Sequence, residues 1–105
     1  MIKYIVLFQF KDPEDCLPGV ISRIESMRGV VPGIRDMELG RNIWDNPARC
    51  WDLALSVTFR NMDDFAVYDT HPYHAQMREY IYAHKTDSKT VVYELLDGET
   101  YGTAL

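Results

Sequence analysis

The 105-residue sequence contains few cysteines, no excess of basic residues and no long apolar run. Its two cysteines, Cys16 and Cys50, are too far apart for a zinc ribbon or a thiol redox site, which need two thiols within about one turn. Both are expected to be free thiols that pack as small hydrophobic side chains. Because no phosphate-binding loop or dinucleotide fingerprint is present, no cofactor is expected.

The charge balance is acidic, with 16 acidic against 11 basic residues and a formal net charge of −5. A domain that binds nucleic acid carries a basic stripe, so nucleic acid is not an expected partner. The apolar run at residues 4–8 is far too short to span a bilayer, and no signal-peptide pattern precedes it. We therefore expect a cytoplasmic domain without a membrane partner.

Hydrophobic periodicity predicts alternating strands and helices. The predicted strands cover residues 2–10, 34–43, 51–59 and 90–96. After the first strand, Asp12 and Pro13 are predicted to be an N-cap and first-turn pair. The apolar stripe of the first helix covers residues 17–27, with Pro18 and Gly19 expected to delay its start. The second begins at residue 61, is interrupted at His71-Pro72 and ends before Asp87-Ser88. The order β-α-β-β-α-β predicts an α+β, ferredoxin-like fold, a four-stranded antiparallel sheet with helices on one face. The domain is expected to span residues 1–97, followed by a C-terminal tail at 98–105.

The first predicted strand is apolar on both faces. Its even-numbered residues form one face, and Ile5 and Leu7 lie on the other. If helices cover only the even face, the odd face needs another cover, and a second copy packed sheet to sheet would supply it. A homodimer is therefore expected. The alternative is that only the centre of this strand is apolar on both faces and that the edges of the sheet are in contact with water.

Polar side chains able to exchange protons cluster around the predicted helix break, at Tyr68, His71, Tyr73 and His74. Histidine titrates near neutral pH, and a neighbouring tyrosine can donate or accept a hydrogen bond. His71 and His74 have a spacing that could share a metal ion, but Asp69 is the one acidic residue placed to be a third ligand, so no metal site is expected. His71, which precedes a proline, is expected to cap a helix through its side chain.

These segments resemble the stress-responsive dimeric A/B-barrel (Dabb) family over nearly the whole chain. The resemblance is carried, in family order, by IKYIVLFQFKD, VVPGIRDMELGRNI, WDLALSVTF, FAVYDTHPYH and VVYEL, with the pattern Y-x-x-HP-x-H the most specific. It implies a dimeric α+β barrel formed by two ferredoxin-like chains packed sheet to sheet.

One branch of the family, the plant polyketide cyclase olivetolic acid cyclase, closes a linear polyketide without a cofactor. This resemblance implies His74 as the proton-transferring residue and Tyr68 as the residue that orients or polarises a carbonyl group. It also implies a pocket between helices and sheet for a small apolar or polyketide-like ligand. The expected binding residues are Tyr4, Val6, Phe8, Ile21, Ile24, Leu55, His71, Tyr73 and Met77. The cyclase has a histidine in place of Tyr4 and a small residue in place of Tyr73, so both positions are bulkier in this chain.

Two other functions remain open from the sequence. The chain could be a non-catalytic, stress-associated structural protein in which His71 and His74 only fix the helix bend. The barrel also resembles, more weakly, that of small cofactor-free monooxygenases. The fold does not decide among these functions, because one scaffold hosts many activities.

Overall fold

The computed structural model describes residues 1–46 and 51–96. Cys50 and the predicted tail at 98–105 lie outside the described residues. The strands are β1 (Ile2–Phe10), β2 (Asp36–Arg41), β3 (Leu53–Phe59) and β4 (Lys85–Glu94). The helices are α1 (Pro13–Glu25), α2 (Met62–Thr70) and α3 (Pro72–His84). None of the helices in the described residues is long and apolar enough to cross a membrane.

The four strands form one antiparallel sheet in the order β2-β3-β1-β4. In the central strand β1, Val6 pairs with Leu55 of β3 on one side and with Thr90 of β4 on the other. This topology confirms the predicted ferredoxin-like α+β fold. The two edge strands, β2 and β4, contain most of the charged strand residues, as expected where one side of a strand is in contact with water.

The core lies between one face of the sheet and the three helices. The even-numbered residues of β1 face it, and all of them except the half-buried Tyr4 are buried. Helix α1 contributes a buried stripe of Cys16, Leu17, Val20 and Ile24. On the opposite sheet face the side chains are less covered, and Val91 and Tyr93 of β4 are 50% and 40% exposed. One face of β1 is therefore buried beneath the helices, and the other is only partly buried.

Helix α1 begins at Pro13 with Asp12 as its N-cap, which confirms the predicted N-cap and first-turn pair. The expectation that Pro18 and Gly19 delay the start of this helix is wrong. The carbonyl of Asp12 accepts hydrogen bonds from the amides of Asp15 and Cys16, and a proline in the first turn has a backbone angle suited to a helix. Pro18 lies inside the helix and is exposed. Because proline has no backbone N–H, one helix carbonyl lacks its usual hydrogen bond. At this exposed position water can bond to that carbonyl instead, which lowers the free-energy cost of an internal proline.

Strand β4 begins at Lys85, directly after α3, so the predicted helix end at Asp87-Ser88 and strand start at residue 90 are also wrong. Asp87 and Ser88 pair with residues of β1 instead of forming a turn. A register shift between Gln9 and Phe10 accompanies the start of this pairing. Polar residues are tolerated here because β4 is an edge strand, and they gave β4 the appearance of a turn in the sequence.

Candidate functional site

The site is built around the bend between α2 and α3. Asn61 caps α2, its side-chain oxygen accepting a hydrogen bond of 3.0 Å from the amide of Asp64. His71 has an extended backbone conformation between the two helices. Its ring atom Nδ1 accepts a hydrogen bond of 3.1 Å from the amide of Tyr73 and so caps α3. The expected capping role of His71 is confirmed.

The bend brings Tyr68, in the last turn of α2, against His74, in the first turn of α3. Their ring centroids are 4.3 Å apart, with 32° between the ring planes. Tyr68 is 0% exposed and His74 is 4% exposed. The ring of Tyr4 from β1 lies 5.8 Å from that of Tyr68. Three side chains that can form hydrogen bonds are thus packed together beneath the helices.

The hydroxyl group of Tyr68 is buried and has no hydrogen-bond partner among the described residues. A buried polar group without a partner costs folding free energy, on the order of 1–3 kcal/mol. Burial also raises the pKa of Tyr4 to about 12 and raises the pKa of Tyr68 further. Both phenols therefore remain protonated at neutral pH and act as hydrogen-bond donors, not as bases.

His74 has a lowered pKa, first because burial disfavours its charged form and also because the cationic Arg78 lies next to it. A hydrogen bond to the carbonyl of Asp69 acts in the opposite direction but does not offset the burial. The imidazole is therefore neutral at pH 7. A neutral imidazole can accept a proton from a bound molecule, as a general base requires.

The surroundings of His74 allow both neutral forms of its ring. Nδ1 lies 3.2 Å from the carbonyl oxygen of Asp69 and 3.0 Å from Nη2 of Arg78. A protonated Nδ1 donates to the Asp69 carbonyl and leaves Nε2 as a base. An unprotonated Nδ1 accepts from Arg78, and Nε2 then carries the proton. In the first arrangement Nε2 can accept a proton, and the resulting imidazolium, protonated on both nitrogens, is the acid that can return it.

Tyr68 and His74 line a partly enclosed cavity of about 70 Å³ between the sheet and α3. Its walls also include five residues expected from the sequence, which are Tyr4, Val6, Phe8, Leu55 and Met77. The remaining lining residues are Arg78, Ile81, Tyr82, Lys85, Ser88 and Thr90. The cavity thus has an apolar and phenolic inner part and a polar end formed by α3 and β4.

Four of the residues expected to line the pocket lie elsewhere. Ile24 is fully buried in the core, and Ile21 packs against that core from α1. The side chain of His71 is used in capping α3. The hydroxyl of Tyr73 lies 2.5 Å from Oγ of Ser26 and lines a separate hollow between α1 and α3. The cavity is therefore shifted towards β4 relative to the expectation.

The polar residues of the cavity were not identified from the sequence. Arg78 lies four residues after His74, a spacing that places two side chains on the same face of a helix, and this signal could have identified it. Lys85 and Ser88 carried no such signal, because they belong to a stretch interpreted as the end of a helix. No group of histidine, cysteine or acidic side chains in the described parts of the chain is arranged to hold a metal ion.

A third, larger hollow of about 390 Å³ lies beside Leu7 and Ala54, which pair on the open face of the sheet. It is lined by Leu7, Gly40, Arg41, Asn42, Trp44, Trp51, Leu53 and Ala54. Within the described residues, its lining includes no tyrosine, histidine, serine or threonine. We therefore interpret this hollow as a mainly apolar surface and not as a site of proton transfer.

Comparison with known proteins gives a family and a fold. The sequence profile of the Stress responsive A/B Barrel Domain matches residues 2–95. A dimeric protein of unknown function with a ferredoxin-like fold from Bacteroides fragilis is 33% identical, with a TM-score of 0.76 over 90% of this chain and 95% of that one. No match was found among proteins of curated function.

Two more distant structures share the fold alone. A hydroxynitrile lyase from Passiflora edulis has a TM-score of 0.80 at 14% identity, over 91% of this chain and 94% of that one. An antibiotic biosynthesis monooxygenase has a TM-score of 0.74 at 16% identity, over 92% of this chain and all of the other. At these sequence identities the structural similarity does not assign a role to any residue of this chain.

Proposed function

The chain belongs to the stress-responsive A/B barrel domain family, and we propose that it binds a small carbonyl compound in the cavity beneath α3 and transfers a proton to and from it. His74 is the proton-transferring residue. Tyr68 donates a hydrogen bond to the carbonyl oxygen, and Tyr4 lies beside it on the sheet. No cofactor takes part in this reaction.

The observation that carries the proposal is the unpartnered hydroxyl of Tyr68. Buried polar groups are nearly always hydrogen-bonded, so one without a partner needs an explanation. A ligand oxygen in the cavity would accept the hydrogen bond that the described residues do not accept. His74, whose ring lies against that of Tyr68, would then be close to the carbon atoms next to the bound carbonyl.

The proposed step is proton abstraction from a carbon atom next to the carbonyl group. Neutral His74 accepts the proton, the C–H bond breaks, and its electron pair moves to the carbonyl oxygen to form an enolate. The Tyr68 hydroxyl donates to the oxygen on which this charge develops. Return of the proton from His74 to the carbon atom completes an exchange reaction. Alternatively, the enolate carbon attacks a second carbonyl group, and the oxygen of that group takes the proton from His74 as the C–C bond forms.

The size of the cavity favours a small ligand over a linear polyketide. Sites for drug-sized ligands usually measure about 300–1,000 Å³. The cavity of about 70 Å³ has room for a few water molecules or a compact organic fragment. The bulky ring of Tyr4, which occupies one wall, contributes to this restriction.

The proposal is tested by hydrogen–deuterium exchange of acetoacetamide in D2O, followed by the loss of its methylene proton signal in NMR spectra. The wild type is expected to accelerate the exchange, and His74→Gln to lose roughly 10²- to 10⁴-fold of the acceleration. His84→Gln, at the far end of the same helix and outside the cavity, is the matched control. Exchange no faster than in buffer with the wild type, or undiminished in His74→Gln, contradicts the proposal.

We also propose that the folded unit is a homodimer joined through the open sheet face. Ile5 and Leu7 on that face are only half-buried, and Val91 beside them is 50% exposed. The hollow lined by Trp44 and Trp51 adds apolar surface there. The Bacteroides fragilis protein that shares a third of the sequence is dimeric, which supports the same assembly for this chain.

A purely structural role is the second candidate, and specific contacts favour it. His71 caps α3, and His74 Nδ1 is close to the Asp69 carbonyl across the bend. In that case His74 would only hold the two helices together. The structural role does not account for the unpartnered Tyr68 hydroxyl, and we therefore rank it below the catalytic one.

A further inference from the structure

The polar end of the cavity has a feature that proton transfer does not use. It is formed by the second half of α3 and the first half of β4, with Arg78, Tyr82, Lys85, Ser88 and Thr90 at its surface. Ser88 and Thr90 pair with Phe8 and Val6, whose side chains face the cavity, so these two β4 residues lie on the cavity side of the sheet. The inner part is apolar apart from the phenols and His74.

The charges at this end do not cancel. Arg78 is paired with the carboxylate of Asp69, with 3.0 Å between Nη2 and Oδ1. Among the described residues, no carboxylate lies within ion-pair distance of Lys85 Nζ. Asp87, two residues further along, pairs with Gln9 and lies on the opposite face of the sheet. One positive charge at the cavity is therefore without a counterion from this part of the chain.

The ammonium group of Lys85 is also held in position. Nζ donates a hydrogen bond of 2.9 Å to Oγ of Ser88 and lies 4.1 Å from the centroid of the Tyr82 ring. These two contacts restrict a side chain that is otherwise flexible. An ammonium group has three donors, and the bond to Ser88 uses one of them.

The geometry points to a small oxo-carboxylic acid as the ligand, with its carboxylate on Lys85 and Ser88 and its carbonyl group between Tyr68 and His74. This inference rests on the proposed function and specifies its substrate class. A carboxylate matches one ammonium group and one hydroxyl. A phosphate group, with more charge and more acceptor atoms, would leave much of its hydrogen-bonding capacity unmet here.

The experiment compares 4-oxopentanoate, which is ionised at pH 7, with 4-oxopentanamide, its neutral analogue of nearly the same shape. Dissociation constants of the 105-residue chain are measured from NMR shift titrations. The wild type is expected to bind the acid about fivefold more tightly than the amide, a preference that weakens at high ionic strength. Lys85→Gln is expected to remove the preference, because it weakens binding of the acid more than binding of the amide.

Lys89→Gln is the matched control, since Lys89 lies on the same strand but pairs with Leu7 and faces the opposite side of the sheet. It should retain the full preference. Ser88→Ala, which preserves Lys85 itself, should reduce the preference and provides a second variant if Lys85→Gln fails to fold.

Equal binding of acid and amide by the wild type, or a preference that survives in Lys85→Gln, overturns the inference and leaves the proposed function standing. Absence of binding by either compound overturns the proposed function for this class of ligand and the inference with it.

Discussion

At the level of single residues, Tyr68 is the residue that favours the proposed ligand site over a purely structural role for the bend. Its ring packs against the aromatic residues Tyr4, Phe59 and Phe65, which accounts for its burial. Its hydroxyl group, by contrast, contributes no hydrogen bond within the described residues. Phenylalanine would fill the same volume without the cost of burying a polar atom. The hydroxyl therefore opposes folding unless a bound molecule uses it.

Tyr68→Phe is expected to raise the free energy of unfolding by about 1 kcal/mol, because a buried group without a partner is removed. The same variant should lose most of the acceleration of acetoacetamide exchange. Urea unfolding and the exchange assay measure the two effects. A loss of stability with unchanged exchange would instead support the structural role of the bend.

The lowered pKa of His74 predicts how stability depends on pH. In the unfolded chain the imidazole titrates near its ordinary value of 6.5, whereas the folded protein binds the proton only at lower pH. Between these two pKa values the unfolded state binds more protons, so the free energy of unfolding falls as the pH drops below about 6.5. Urea unfolding at pH 7.5 and at lower pH should show a smaller fall in His74→Gln than in the wild type. An equal fall in both proteins would contradict the assignment.

Sequence patterns identified a cluster of proton-exchanging residues at the helix break, and the family resemblance singled out Tyr68 and His74 within it. They could not identify the ion pair between Arg78 and Asp69, because these residues are nine positions apart on different helices. The position of Lys85 at the cavity depends on where α3 ends. The sequence patterns placed the end of this helix too late in the chain, so they could not place Lys85 at the cavity.

At the level of elements, the bend between α2 and α3 determines the geometry of the site. Pro72 prevents His71 from continuing α2, and His71 then caps the next helix. The two helices can therefore change direction without leaving the first amides of α3 unsatisfied. The contact between the tilted rings of Tyr68 and His74 across the bend depends on this joint.

His71→Ala is expected to lower the free energy of unfolding by about 1 kcal/mol, through loss of the cap on α3. His71→Asn should restore most of that stability, because asparagine is a good capping residue. Acetoacetamide exchange by His71→Asn should equal that of the wild type, since His71 does not line the cavity. A strong loss of exchange in the stable His71→Asn variant would show that this histidine acts on the ligand.

The element order could be predicted from the sequence because strict alternation in β1 and β3 and the apolar stripe of α1 are strong periodic signals. The ends of the elements were less predictable. The Asp12-Pro13 pair predicted the first turn of α1, but Pro18 and Gly19 were expected to delay the helix. The burial of Cys16 and Leu17 stabilises the turn that precedes Pro18. In β4, pairing with the central strand outweighs the turn preference of Asp87 and Ser88.

At the level of the whole molecule, the two faces of the sheet have separate roles. The even face of β1 forms the core and the cavity, while the odd face carries Ile5 and Leu7 and remains partly open. Dimerisation through the open face would bury that apolar surface without obstructing the polar end of the cavity. A core of this size also gains stability from association.

Light scattering at micromolar concentration is expected to give a mass about twice the chain mass of 12.2 kDa. Leu7→Glu should give the mass of one chain, because the dimer would bury an unpaired carboxylate. Val67→Glu, at an exposed position on α2, should remain dimeric. A single-chain mass for the wild type would contradict the proposed assembly.

The central claim is that a small carbonyl compound binds between α3 and the sheet, beside Tyr68 and His74. The most direct test is a methyl NMR titration of the wild type with acetoacetamide, since the chain has methyl groups on both sides of the sheet. The account predicts shifts at Val6, Leu55 and Ile81, which line the cavity, and none at Ile5, Leu7 or Val91 on the open face. Shifts confined to the open face, or no shifts at saturating concentration, would contradict it.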